Sequence, residues 1–170
     1  MKQPTYPTVY ELLLNSFVEQ QIPVKVAHKI EEKFARKFRQ KLILDGNTYY
    51  AYPAPKDMAS SSSEDIHGCG LSLRKAEYIQ QASQLIVDGK PDLEHMKIHK
   101  RPEQIISELD DIKGIGVWTA ELIMLEGMQR LGALLADDFG IRQVISRYYR
   151  DGTPIKSAEA REIAKVWGKF

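Results

Sequence analysis

The sequence predicts an all-α domain, and three observations point to that class. Apolar residues recur at helical spacing in most of the longer segments. Capping residues, glycines and prolines separate these segments at positions where helices typically begin and end. No segment alternates convincingly between apolar and polar residues, so we expect no sheet.

The N-terminal third contains two predicted helices. Residues 9–18 are mostly apolar and follow Pro7-Thr8, which suits a helix start. The break at 20–23 ends this helix, and Pro23 suits the first turn of the next one. Residues 24–40 then place apolar side chains at helical spacing, with Lys, Glu and Arg on the other face, which is typical of an amphipathic helix.

The middle of the chain combines turns with one long helix. Asp45-Gly46-Asn47 is a turn signal, and the tyrosines and prolines of 49–55 indicate extended chain. Ser72 is a typical N-cap for a helix that runs to about Asp88. Gly89-Lys90-Pro91 ends that helix.

The C-terminal third contains four predicted helices, two of them joined by a short glycine turn. The predicted elements are helices at 101–109, 117–126, 139–149 and 157–167, and a loop at 127–136. Pro102 and Ser157 suit helix starts. Asp137 or Asp138 would cap the third of these helices.

The composition is that of a globular protein, with 43% apolar and 28% charged residues among 170. The net charge of +1 is unlike that of a non-specific DNA coat protein, so a nucleic-acid partner would need a local basic face. Cys69 is the only cysteine, which excludes a four-cysteine iron–sulfur cluster held by this chain alone. The sequence has neither a membrane-length apolar run nor a signal-peptide pattern. We therefore expect an intracellular protein, in the cytoplasm and nucleoid or in the nucleus, without a membrane partner.

The turn Ile112-Lys113-Gly114-Ile115-Gly116 has features of a phosphate-binding hairpin. Two glycines around one apolar residue allow a sharp turn at positive φ and leave the backbone open to a ligand. The next helix would offer unpaired N–H groups and the positive end of its dipole. Ile115 would pack back between the two helices, and Lys113 would add charge. The simpler alternative is an ordinary αα-hairpin with a glycine cap.

Four segments resemble, in order, the motifs of one family. They are 17–22 (FVEQQI), 70–76 (GLSLRKA), 112–120 (IKGIGVWTA) and 136–142 (ADDFGIR). Together they resemble the helix-hairpin-helix/Gly-Pro-Asp DNA glycosylase superfamily, with 3-methyladenine DNA glycosylase II as the nearest branch. The resemblance covers roughly residues 12–167. It implies one domain over 1–170 with two helical lobes, roughly 24–130 and the terminal segments, and a cleft where the hairpin meets the loop that carries Asp137-Asp138, here called the Asp loop.

The resemblance also implies an activity. Double-stranded DNA with a damaged base would be bound, an alkylated purine flipped out, and its N-glycosidic bond hydrolysed. Asp138 matches the catalytic acid, which would stabilise positive charge on the sugar or position the attacking water. The structural alternative is that Asp137-Asp138 only caps the next helix. If Asp138 is catalytic, Asp137 is the capping or supporting acid.

Four residues are candidates for the base pocket. Trp118 lies where strand-cutting relatives have a Schiff-base lysine, so the resemblance implies a monofunctional enzyme. Its ring would suit a cationic purine, or would simply pack the two hairpin helices together. Gln20 matches the glutamine beside the extruded nucleotide, although a glutamine at a helix break is often only solvent-exposed. Phe139 and Leu122 complete the set, and the nearest branch tends to have an aromatic residue at the position of Leu122.

The remaining candidates concern the DNA backbone and a cation. The candidate DNA contacts are Gln21, Arg74, Lys75, Lys113, Gly114, Ile115, Gly116 and Thr119. Gln21 matches the wedge that fills the gap left by the flipped base. Hairpins of this family often hold a monovalent cation, and the backbone carbonyls of Asp110, Ile112 and Gly114 would bind Na⁺ or K⁺ here. No other cofactor is expected.

The sequence departs from the family pattern at its C-terminal end. The family continues beyond the position of Phe170 with a helix that closes the lobe, so we expect this closing helix to be missing. Two alternative functions stay open. One is a non-catalytic helix-hairpin-helix DNA-binding module, and the other is a glycosylase for an oxidised or deaminated base.

Overall fold

The computed structural model describes residues 6–38, 41–130 and 133–168, and most of them are helical, as predicted. The α-helices are α1 (Val9–Glu19), α2 (Val24–Phe38), α3 (Pro55–Ala59), α4 (Ser63–His67), α5 (Leu73–Val87), α6 (Leu93–His99), α7 (Pro102–Asp110), α8 (Val117–Leu122), α9 (Phe139–Tyr149) and α10 (Ser157–Ala164). A π-helical segment, Ile123–Gly127, continues α8, and a 3₁₀ turn, Lys165–Trp167, follows α10. Each helix within these ranges is too short or too polar to cross a membrane.

Local capping chemistry explains why the helix starts agree with the sequence. The Ser72 side chain accepts a hydrogen bond from the Lys75 N–H (3.3 Å), and α5 begins at Leu73. Asp138 rather than Asp137 is the N-cap of α9, which spans the predicted residues. The predicted end of α2, Gln40, lies outside the described residues.

The prediction that the chain contains no sheet is wrong at one place. Strands β1 (Lys41–Leu44) and β2 (Asn47–Tyr50) form an antiparallel hairpin in which Lys41 pairs with Tyr50. Both turn residues, Asp45 and Gly46, have positive φ (+49° and +77°), as a tight two-residue hairpin requires. All the strand residues are exposed, so neither face selects apolar side chains and the alternation that marks a half-buried strand is absent.

Buried side chains form two separate hydrophobic clusters. The larger cluster contains side chains from α1, α2 and α5 to α8, together with the π-helical segment, and α1 is buried almost throughout. The smaller cluster consists of Ala136, Ile145, Ile155 and Ala160, with Trp167 packed against it. Helix α1, which precedes the predicted lobe boundary at residue 24, thus lies in the larger cluster. Ala136, in the loop before α9, belongs to the smaller cluster.

Helix α8 and its π-helical continuation are held against α1. A Cβ added at Gly127 would lie 3.1 Å from Leu12 Cδ2 and 3.5 Å from Val9 Cγ1, so the two backbones approach closely here. The other end of α8 emerges from the hairpin turn that follows α7. The core therefore fixes the orientation of α8, whose two faces carry the contacts described next.

Candidate functional site

The two glycines of the hairpin turn serve different purposes. Gly114 has φ +88°, and a Cβ there would clash with the Tyr78 ring and lie 2.9 Å from Phe17 Cε1. Gly116 is extended (φ −112°, ψ 177°), and a Cβ there would meet nothing within 4 Å. The expectation of positive φ is therefore confirmed for Gly114 and wrong for Gly116. Because Gly116 has no side chain, the backbone at the start of α8 is accessible to a ligand.

The hairpin residues differ in what they can offer to a ligand. The Ile115 side chain packs into the larger core, as predicted, and its N–H donates to the Ile112 carbonyl (3.0 Å). Lys113 is exposed. In the described part of the chain, the N–H groups of Gly116, Val117 and Trp118 have no acceptor. Any backbone contact to an anion would thus come from Gly116 onwards rather than from Ile115.

Gln20 lies against the hairpin. Its Nε2 donates to the Gly114 carbonyl (3.0 Å) and lies 3.5 Å from Thr119 Oγ1. Thr119, a candidate DNA contact, is buried, so its hydroxyl lies near Gln20 inside the protein. Two segments that are distant in sequence, the end of α1 and the hairpin, are therefore joined through one side-chain amide.

Lys75 binds the backbone at the end of α1, next to Gln20. Its ammonium group donates to the carbonyls of Val18 (3.3 Å) and Gln20. Burial lowers the pKa of Lys75. The structure thus gives this candidate DNA contact partners within the protein, at the end of α1. The next residue, Gln21, is exposed and has φ +58°, a left-handed conformation that turns the chain away from α1.

Arg74 lies near the hairpin through its contact with Tyr78. Its Nε donates to the Tyr78 hydroxyl (2.7 Å), and its guanidinium lies 5.4 Å from the centre of the Tyr78 ring. Since Tyr78 packs on Gly114, the exposed Arg74 is placed near the turn that carries Lys113. These two cations are the candidates for the local basic face that the near-neutral net charge requires.

Helix α8 carries functional contacts on opposite faces. Thr119 and Glu121 are two residues apart, which separates them by about 200° around a helix. Thr119 faces Gln20, and Glu121 is bonded to Arg161 of α10 (2.5 Å). Trp118 and Leu122, two of the candidate pocket residues, are half-buried.

Asp138 is held at the first turn of α9. Its Oδ1 accepts a hydrogen bond from the Ile141 N–H (2.9 Å), and the residue is half-buried. The described residues provide no donor to Oδ2. The capping and catalytic interpretations of Asp138 are therefore compatible, because one oxygen caps the helix and the other remains for a ligand.

Asp137 connects the same loop to α10. Its Oδ1 accepts from the Ser157 hydroxyl (2.5 Å), and its Oδ2 accepts from the Arg161 guanidinium (3.3 Å). Arg161 in turn pairs with the buried Glu121, and the hydrogen bond that Arg161 donates to Glu121 is the main reason that the pKa of Arg161 is raised. Sequence reasoning missed Glu121 and Arg161. The available signal was a glutamate within the apolar run AELIML, since a buried carboxylate needs a partner.

Phe139 lines a groove that the other pocket candidates do not line. It is 67% exposed and lines an open groove of about 840 Å³ along α9. Arg142, Tyr148 and Ile155 also line this groove, whereas Gln20, Trp118 and Leu122 do not. The structure therefore brings Gln20 to the hairpin and links the Asp loop to α8, while the place of Phe139 in the base pocket stays a prediction.

The three backbone carbonyls that would bind a cation have oxygen lone pairs available for it. The Ile112 carbonyl accepts from Ile115 N–H, and the Gly114 carbonyl accepts from Gln20. No donor to the Asp110 carbonyl is present in the described ranges. Since each carbonyl oxygen has two lone pairs, all three retain capacity for a monovalent ion. Cation binding stays a prediction.

Comparisons with known proteins found relatives both in sequence and in structure. DNA-3-methyladenine glycosylase 2 of Escherichia coli is 26% identical over 170 residues, which is all of this chain and 57% of that protein. The structure of 3-methyladenine DNA-glycosylase from Archaeoglobus fulgidus is 31% identical, with a TM-score of 0.81, over 98% of this chain and 55% of that one. The chain spans about half the length of the curated relatives it matches.

A third comparison concerns a complex. The 3-methyladenine DNA glycosylase of Schizosaccharomyces pombe, solved with abasic DNA, has a TM-score of 0.77 over all of this chain and 78% of that one. At 23% identity this likeness supports the fold alone. The sequence itself matches the HhH-GPD superfamily of base excision DNA repair proteins over residues 14–169. With the hairpin, the Asp loop and nearly the whole chain included in that match, the chain belongs to the HhH-GPD superfamily.

Proposed function

We propose that this chain carries the catalytic domain of a DNA glycosylase that removes an alkylated purine and leaves an abasic site in an uncut strand. The observation that carries the proposal is the placement of Asp138. Its carboxylate has one oxygen bound at the start of α9, and its loop is tied through Asp137 and Arg161 to the helix that follows the hairpin. The relatives named as 3-methyladenine glycosylases support the choice of substrate class.

DNA would be bound through its backbone at the hairpin. The open backbone at Gly116 and the unpaired N–H groups at the start of α8 suit a phosphate. Lys113 and Arg74 would add positive charge beside it. Such contacts carry no sequence information, which suits an enzyme that must search undamaged DNA. Gln21, exposed at the turn after α1, would fill the space of the extruded nucleotide.

Asp138 would act on the sugar. As the C1′–N bond breaks, its electron pair stays with the base and positive charge develops on the sugar ring. The free oxygen of Asp138 would stabilise that charge until the oxygen of a water molecule bonds to C1′ and the water gives up a proton. An alkylated purine that carries a positive charge leaves as a neutral base, so charge stabilisation on the sugar is the main requirement.

The carbonyls of Asp110, Ile112 and Gly114 would hold a Na⁺ or K⁺ ion in this account. The ion would stabilise the turn whose open backbone binds phosphate. Gln20, which donates to the Gly114 carbonyl, would connect this turn to the extruded nucleotide. Trp118 would offer its ring face to the cationic base.

The absence of an amine at Trp118 leads to a prediction about strand cleavage. A lyase needs an amine that forms a Schiff base with the sugar, and an indole nitrogen cannot do so. Lys75 donates to two backbone carbonyls, and Lys113 precedes the two glycines of the turn. Borohydride should therefore trap no covalent complex with abasic or lesion DNA, and product strands should stay intact until alkali is added.

Lys113→Gln provides the control for the trapping experiment. Trapping that persists in this variant would show that another lysine forms the Schiff base and that the enzyme is bifunctional. Trapping that disappears in it would show that Lys113 reaches the sugar, which contradicts the hairpin geometry used here. Strands are separated on a denaturing gel before and after alkali treatment.

Release of free bases from a set of duplexes tests the proposed substrate class. The duplexes carry 3-methyladenine, 7-methylguanine, hypoxanthine, uracil or 8-oxoguanine, and the released base is measured by chromatography. We expect release of the methylated purines only. Release restricted to the other lesions would favour a glycosylase for oxidised or deaminated bases. Binding to all duplexes without release from any would favour a non-catalytic DNA-binding module.

A further inference from the structure

We propose that Arg161 is a positioning residue that sets the location of the Asp138 carboxylate, a role that rests on the proposed function. Arg161 lies on α10 and contacts three residues in two separate parts of the chain. Its guanidinium bonds to Glu121 on α8 (2.5 Å), to Asp137 beside the catalytic position (3.3 Å) and to the Leu134 carbonyl (3.4 Å). One side chain thus joins the hairpin helix to the loop that presents Asp138.

The burial of Glu121 indicates that this ion pair does more than add stability. The Glu121 side chain is 2% exposed, and its Oε2 is buried without a hydrogen-bond partner in the described structure. Removing a carboxylate from water costs several kcal/mol, and an ion pair with an unsatisfied oxygen recovers that cost poorly. An apolar pair of similar size would hold α8 and α10 together at least as well. Such an apolar pair could not also donate hydrogen bonds to Asp137 and to the Leu134 carbonyl, as the planar guanidinium does.

The loop before Asp138 is fixed by further donors from both neighbouring helices. Ser157 of α10 donates to Asp137, and Arg142 of α9 donates to the Ala136 carbonyl (3.2 Å). Arg161 is the member of this group that also reaches α8. If α8 binds the DNA and Asp138 stabilises the sugar cation, Arg161 sets the distance between α8 and Asp138. A misplacement of about 1 Å can cost on the order of 10²-fold in rate, so this distance matters.

The test separates positioning from stability by removing the ion pair in two ways. Arg161→Met leaves Glu121 as a buried, unpaired carboxylate, so it should lower Tm as well as slow base release. The double variant Glu121→Met/Arg161→Met removes that unpaired charge, so its Tm should return towards the wild-type value. We expect single-turnover base release to stay roughly tenfold or more below wild type in both variants, while Kd for abasic duplex changes less than about threefold.

Two further variants act as controls. Arg150→Met breaks the pair between Arg150 and Glu159 (2.8 Å), which also links the end of α9 to α10 but does not touch the Asp loop. It should leave base release unchanged within about twofold, as expected for an exposed ion pair. Arg161→Lys keeps one charge but not the planar fork, so it should recover part of the lost rate.

Exchange of the Ile141 amide proton, followed by NMR in the free protein, reports on the Asp138 carboxylate without DNA. This N–H donates to Asp138 Oδ1, so displacement of the carboxylate should accelerate its exchange. We expect faster exchange in Arg161→Met and in the double variant, and no change in Arg150→Met. Wild-type exchange in the double variant, or wild-type base release by it, would overturn the inference. Accelerated exchange with no base release even by wild type would instead overturn the proposed function and retain the positioning role of Arg161.

Discussion

Asp138→Asn should lower single-turnover base release by ~10²-fold or more, because the charge that stabilises the sugar cation is lost. Asparagine is as good an N-cap as aspartate, and its carbonyl can still accept from the Ile141 N–H. The start of α9 should therefore persist, and binding to damaged and undamaged duplexes should stay within a few-fold of wild type. The rate is measured with enzyme in excess over a duplex that carries 7-methylguanine.

Asp137→Asn is the matched control for this variant. It weakens the contacts of Asp137 with Arg161 and Ser157 but leaves the Asp138 charge in place. We expect a lower Tm and a smaller loss of rate than for Asp138→Asn. Equal base release by Asp138→Asn and wild type would remove Asp138 from the mechanism.

Gly114→Ala and Gly116→Ala should affect different properties of the hairpin. At Gly114 an added methyl group would strike Tyr78 and Phe17 at a positive φ, so the free energy of unfolding should fall by about 2–4 kcal/mol. At Gly116 the backbone is extended and the space is open, so Tm should not change. If phosphate approaches Gly116, its alanine variant should bind damaged and undamaged DNA more weakly by similar factors.

Thermal unfolding and DNA titration of the two variants provide the measurements. A wild-type Tm for Gly114→Ala would contradict the packing of Tyr78 against the turn. Loss of binding to damaged DNA alone in Gly116→Ala would assign this glycine to the base pocket. Unchanged binding to both duplexes would mean that no phosphate lies at Gly116.

Much of the helical fold could be predicted because its determinants are local. Ser72 and Asp138 cap the helices that follow them, and the helix boundaries at α5 and α9 agree with the sequence within a residue or two. The β1–β2 hairpin could not be predicted in this way, since its strands are exposed on both faces. Its tight turn at Asp45-Gly46 was the one local signal of a hairpin.

The candidate site was predictable only in part, because its assembly depends on contacts between distant segments. Sequence alone does not distinguish Gly114 from Gly116, since the difference is set by the ring of Tyr78. It also gives no indication that Lys75 would bind backbone carbonyls at the end of α1. Glu121 and Arg161 lie far apart along the chain, and their pairing follows from how α8 and α10 approach the Asp loop.

The central claim is that this chain cleaves the N-glycosidic bond of an alkylated purine, and the amount of base released measures this most directly. Methylated duplex DNA is incubated with excess protein, and free 3-methyladenine is quantified by chromatography beside aldehyde-reactive abasic sites in the same DNA. The account predicts release well above spontaneous depurination, with one intact abasic site for each base released and with release suppressed in Asp138→Asn. Tight binding of the same duplex with release no faster than the spontaneous rate would contradict it.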